Sequence, residues 1–226
     1  MKGKRIFYCE ISYLLGIILL ALGTAFLERA NFGMSMIVAP AYLIHLKVSQ
    51  HLPFFSFGMS EYVFQALLLV IISIIMRKVK KSYFLSFVTA IIYGLVLDLM
   101  ISLVSLFPYS GVGWRIGFFI LGLVICSIGV SLLLHTYFPP EAYEIFVKEI
   151  SEKFHFSFDK TKTVYDCCSY VLSIILSLCL FSSFVGINWG TIVCALLNGV
   201  LIGTFNRLFE KVFTFKDVLP LREKLK

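Results

Sequence analysis

Charge is scarce in this chain: 15% of its 226 residues are Asp, Glu, Lys or Arg, while 59% are hydrophobic. A soluble domain is about a quarter charged and half apolar, so an ordinary water-facing surface is excluded over most of the length. No C-x-x-C pair occurs among the six cysteines, Cys9, Cys126, Cys167, Cys168, Cys179 and Cys194. The neighbours Cys167 and Cys168 are too close for a relaxed disulfide, and all six read as small apolar residues. The four histidines, His45, His51, His135 and His155, lack ligand spacing, so no metal site is readable. No nucleophile–base set and no phosphate loop occurs either. No catalytic residue, cofactor or enzyme activity is therefore expected.

What the chain has instead is long apolar runs and rings, with 23 Phe, 11 Tyr and a mean hydropathy of +0.93. A hydrocarbon core of roughly 30 Å needs about 20 apolar residues as helix, and aromatic rings suit its two interfaces. Six spans are expected, at about 6–27, 61–76, 82–107, 116–137, 164–184 and 191–209. The small residues Gly23-Thr24-Ala25 would also suit a signal-peptide cleavage site. The first run is long enough to span, however, and has a counterpart later in the chain. Residues 34–55 are too broken by Pro40, Lys47, His51 and Pro53 for a full span, and read as re-entrant or interfacial. Residues 141–158 read as amphipathic, with Phe154, Phe156 and Phe158 at the interface. Pro108 to Gly113 has turn composition, and 211–226 is a basic tail.

The net charge of +7 is topological rather than a nucleic-acid surface. With the N-terminus in the cytoplasm and six spans, every Lys and Arg except Arg29, Lys47 and Arg115 falls on the cytoplasmic side. Both termini are then cytoplasmic, in a multi-pass protein of the cell membrane.

Two halves resemble each other. Gly16 and Gly23 in the first span match Gly122 and Gly129 in the fourth. Ser56–Gln65 (SFGMSEYVFQ) aligns without gaps on Ser157–Asp166 (SFDKTKTVYD), and Thr89–Leu99 on Cys194–Thr204, placing Gly94 on Gly199. An odd number of spans per copy makes consecutive copies face opposite ways. The expected fold is an all-α polytopic membrane protein of two inverted three-helix repeats, 6–107 and 115–210. Each repeat carries a broken helix after its first span, near Ala30–Gly33 and Thr136–Pro140.

GTAFLERANFGMSMIVAP (Gly23–Pro40), SFGMSEYVFQ and GLVLD (Gly94–Asp98) resemble the YczE/YitT-like group of small bacterial integral membrane proteins. The resemblance covers most of the chain and implies a fold and a membrane location more than an activity. YitT-type members often carry a soluble C-terminal domain, and nothing such a domain does is carried over here.

Ionisable groups inside spans are expensive, roughly 2.5–3.5 kcal/mol at a helix centre on insertion scales. Asp98 and Asp166 are the expected substrate- or ion-coordinating residues, with Gln65, Asn31 and Asn198 as polar lining. Gln65 and Asp166 hold equivalent repeat positions and are expected to flank one cavity. Glu28, Arg29 and Asn31 are expected at an outer mouth with Glu61. Glu141 and Glu144 read as helix-start acids. The expected function is transport or binding of a small solute, with proton or cation coupling as an option. The alternatives are a membrane accessory to a partner protein and the substrate-binding subunit of a multi-component importer. The lipid bilayer is the expected environment, and a homo-oligomer or a partner membrane protein an option; nucleic acid is not expected.

Overall fold

The computed structural model describes residues 5–107 and 111–218. It contains eight helices among them: α1 (Cys9–Ala30), α2 (Ala39–Val48), α3 (Phe57–Met76), α4 (Lys81–Ser105), α5 (Val112–Leu133), α6 (Ala142–Phe154), α7 (Phe158–Phe181) and α8 (Trp189–Val212). Six of these, all but α2 and α6, are long and apolar enough to cross a membrane. This is the architecture of a multi-pass membrane protein. Three residues of the fold were not expected as they stand: Ile6, Phe7 and Tyr8 belong to a strand rather than to the first span. That strand, β1 (Arg5–Tyr8), pairs in parallel with β2 (Phe213–Lys216), part of the stretch expected as tail. Both described ends of the chain therefore meet on one side of the bundle. Residues 108–110 of the expected turn and 219–226 of the tail lie outside the described residues.

The central contact is α1 against α5, set by glycines. A Cβ on Gly23 would lie 2.5 Å from the Cys126 amide nitrogen and 2.8 Å from the Gly122 carbonyl oxygen. One on Gly129 would lie 2.6 Å from the Leu20 nitrogen and 2.9 Å from the Gly16 oxygen. Lipid offers helices no hydrophobic gain on meeting, so close backbone approach supplies dispersion contact instead. Around this crossing Ile17, Ala21, Leu27, Met34, Tyr93, Leu97 and Leu123 form the main core. α3 meets α4 in the same manner, where a Cβ on Gly58 would overlap the Gly94 carbonyl.

The end of α1 is built by a few polar groups. Asn31 takes the left-handed conformation (φ 52°) and Gly33 follows at φ 109°, turning the chain off the helix. Arg115 donates from Nε to the Ala30 carbonyl and from Nη2 to the Asn31 carbonyl, both at 2.8 Å. A cation at a helix C-terminus also suits the dipole.

α2 and α6 are half-length helices lying along full-length ones. The start of α6 sits at the middle of α3, where Gln65 Oε1 accepts from the Ala142 amide at 3.1 Å. Its other end reaches the end of α3, where Lys153 Nζ donates to the Ile75 carbonyl at 2.6 Å. α6 thus packs along α3 from its middle to its end. Its amphipathic pattern, read as a bilayer-surface signal, is used against protein, with Ala142, Tyr143, Ile145 and Val147 buried. The chain entering it, Pro139-Pro140, is held by Ser86 Oγ on the Pro140 carbonyl at 2.6 Å and by Thr89 Oγ1 on that of Pro139 at 3.3 Å. Irregular backbone away from water needs such partners. α2 lies along α7 likewise, and its Lys47 Nζ reaches the Leu180 carbonyl near the end of α7 at 2.9 Å.

Candidate functional site

The seven polar residues expected at a site separate into three places and one cap. Asp98 and Glu28 share a small cavity of about 240 Å³ with His45, Ser56 and Ser102. Asp98 is fully engaged there: Ser56 Oγ donates to Oδ2 at 2.5 Å and the Gly58 amide to Oδ1 at 2.8 Å. Ser56 Oγ in turn accepts from the Met59 amide at 3.0 Å. This is a two-residue cap on α3, a carboxylate set against the positive end of a helix. Asp98→Ala is therefore expected to lower stability by about 1–3 kcal/mol. A thermal melt of the purified variant measures this, and its ligand binding should be unchanged.

Glu61 does not join Glu28 at a mouth. It is fully buried, where Oε2 accepts from the Tyr143 hydroxyl at 2.8 Å and from Gln65 Nε2 at 3.5 Å. The polar face of α3 thus receives the first residues of α6. Arg29 donates from Nη2 to the Ser105 and Phe107 carbonyls, each at 3.4 Å. Asn31 serves the turn after α1.

Asp166 and Asn198 do come together. They line a cavity of about 500 Å³ between α7 and α8, with Glu144 of α6, Lys162 of α7 and Ser35 to Ile37 just before α2. The cavity exists because α7 and α8 stay apart: Gly199 has nothing within 4 Å of where a Cβ would lie, whereas its counterpart Gly94 is in backbone contact with α3. Asp166 Oδ1 lies 3.7 Å from Lys162 Nζ, one turn back on the same helix. That oxygen and Asn198 Oδ1 are both buried without a hydrogen bond. Buried polar atoms are nearly always hydrogen-bonded, so two that are not, beside one cavity, require an account.

On α6 itself, burial pushes the Glu144 carboxyl above the usual range, Lys162 opposes this and Asp166 adds to it. Burial pushes Glu141 well above that range too, with Glu144 and Glu61 contributing. Glu141, Tyr143, Glu144 and Lys162 were not expected at a site. The only sequence signal was two acids directly after Pro139-Pro140, which suits a helix start equally well. A larger space of about 640 Å³, lined by Leu69, Val70, Ile74 and Phe84, is an apolar groove on the outer face of α3 and α4 and holds none of these groups.

Residues 7–207 match DUF6198, a family of unknown function. The chain belongs to that family. No curated protein and no solved structure matches it. Membership in DUF6198 accounts for almost the whole described bundle, from β1 to within α8, so the three polar places lie inside the family's extent.

Proposed function

We propose that this DUF6198 protein binds a small solute in the cavity between α7, α8 and the start of α2, and carries it across the cell membrane. The observation that carries the reading is the pair of buried acceptors at a cavity of about 500 Å³: Asn198 Oδ1, with no hydrogen bond among the described residues, and Asp166 Oδ1, held only by the distant Lys162 ammonium. Acceptors with room for further donors suit a ligand that brings them. Asp166 is the principal contact, Asn198 and Ser35 the polar lining, and Lys162 the neighbour that balances charge.

An inverted repeat supports transport. Gly16 faces Gly129 and Gly23 faces Gly122, and adding 106 to the α1 numbers exchanges the two contacts. α6 begins beside Gln65 of α3. The stretch before α2 lines the same cavity as Asp166, which aligns with Gln65. Half-helices ending at mid-depth on both sides of such an axis are where transporters of this type hold substrate. Alternating access would then be the rocking of one repeat, 6–107, on the other, 115–210, with both termini in the cytoplasm. The YczE/YitT-like resemblance agrees with this placement in the membrane.

The second reading, an accessory that holds a partner through its helices, is favoured by one feature. α8 leaves Leu196 and Val200 exposed beside Gly199 and Gly203, which meet nothing. Small residues on an open face are how membrane helices dock.

A thermal-shift screen of the detergent-purified protein against metabolites and ions separates the two. A true ligand at about 100 times its Kd stabilises by roughly 2.7 kcal/mol. That shift should vanish in Asp166→Asn and shrink in Asn198→Ala. A hit unaffected by both variants, or no hit at all, overturns this site. Binding without flux in liposomes would point to the subunit of a multi-component importer.

A further inference from the structure

Glu61 has no solvent-exposed surface, and only one of its carboxyl oxygens is bonded. Oε2 takes the Tyr143 hydroxyl and, more distantly, the Gln65 amide. Oε1 is buried with no hydrogen bond among the described residues. At the N-cap of α6, Glu141 repeats the pattern, with its own Oε1 buried and unpartnered.

The groups that face Glu61 come from four helices. Glu141 and Tyr143 approach from the start of α6, Tyr93 from α4, Tyr165 from α7, and Gln65 from α3 itself. None of the interactions described for Glu61 is with a Lys, Arg or His side chain. An ionised carboxylate deep in a low-dielectric interior is untenable without a counter-charge, and such a group ordinarily takes up a proton instead. A second carboxylate nearby makes the ionised form worse. The surroundings are also poor for Ca²⁺ or Mg²⁺, which need six or more oxygens or a retained water shell.

We propose that Glu61 is a proton-binding site, holding one proton in this conformation at the seat of the α6 half-helix. The hydrogen bonds that close the site from α6 come from its first residues: Ala142 through Gln65, and Tyr143 directly. Withdrawal of that helix start removes the Tyr143 hydroxyl, admits water to Oε1, and lets the proton leave to it. Proton occupancy and the position of α6 are thereby linked. The link to solute movement rests on the transport reading above; the proton site itself does not.

Infrared spectroscopy of the purified protein tests it directly. At pH 7 the wild type should show the C=O stretch of a protonated carboxylic acid, shifted in D₂O. The Glu61 component of that band should be lost in Glu61→Gln, leaving any component from Glu141 or Glu144, and the whole band kept in Glu152→Gln, an exposed control. Tyr143→Phe should move the band, because the acid loses its hydrogen-bond donor, and this holds even where Glu61→Gln fails to fold. Absence of the band in the wild type, an unchanged band in Glu61→Gln, or an unmoved band in Tyr143→Phe overturns the proposal. The two proposals fail separately. A ligand shift without the acid band removes the proton site alone, and the band without any ligand removes the solute site alone.

Discussion

Gly23→Leu is expected to abolish the folded protein, while Gly199→Leu leaves it intact. Both glycines sit in apolar spans with similar surroundings in sequence. A side chain at Gly23 starts 2.5 Å from the backbone nitrogen of Cys126 and 2.6 Å from its sulfur. The sulfur could turn aside, but the nitrogen, like the Gly122 carbonyl oxygen at 2.8 Å, cannot give way without moving α5. Overpacking a close-fitting core costs about 1–3 kcal/mol when neighbours can repack. Here the obstacle is backbone, so the cost exceeds that range and consumes much of a total stability of about 5–15 kcal/mol. Gly199 meets nothing within 4 Å. Size-exclusion chromatography of fluorescent fusions gives the readout: a void-volume peak for Gly23→Leu and a wild-type profile for Gly199→Leu. A wild-type profile and melt for Gly23→Leu would mean that the α1–α5 crossing is not as drawn.

The second large effect is expected at Lys80 and Glu149, which tie the far part of α6 to the start of α4. Lys80 Nζ reaches both carboxylate oxygens, at 2.6 and 2.7 Å. The Glu149 side chain is only 7% exposed and that of Lys80 is 42% exposed. Removing the lysine leaves a buried, unpaired carboxylate, a change that costs about 3–5 kcal/mol in general. Lys80→Met should fall at the low end, about 3 kcal/mol, because the lysine side of the pair is wet. Lys80→Met with Glu149→Met should recover most of that loss, since a buried pair is weak net evidence of stability. Melts of the two single variants and the double variant measure the coupling. A harmless Lys80→Met would show that water, not lysine, solvates Glu149.

Much of the architecture was legible because span formation is a local matter. α4 and α8 fall within a few residues of where their apolar runs place them. Helix starts were less legible. α3 begins at Phe57 rather than Glu61, because Ser56 caps it and Asp98, 42 residues away in the chain, completes the cap. α7 begins at Phe158 rather than Val164, because Lys162 and Asp166, one turn apart, pair with one another beside a cavity and need no loop. β1 and β2 were not legible at all: Arg5 and Phe213 pair from opposite ends of the described chain, and nothing local to either strand specifies the other.

The candidate site divides in the same way. Asp166 and Asn198 were readable as polar groups inside spans, and the fold brings them to one cavity. Glu28 and Glu61 were equally readable as carboxylates, yet they lie in separate places. The difference is in the half-helices. Tyr143 carries no sign of a buried role in its own neighbourhood, and it acquires one only when α6 turns inward along α3.

The sequence by itself determined the six apolar helices, the two interruptions and the polar residues at membrane depth. The physical reason is that an apolar run and its backbone hydrogen bonds are satisfied within a single helix. Tertiary structure alone decided that Asp98 caps a helix, that Glu61 meets Tyr143, and that α7 and α8 part around Asp166. Those outcomes depend on how closely two backbones approach, as at Gly58 and Gly94, and on which donor faces a buried acceptor. Both are properties of pairs of helices rather than of any one stretch of chain.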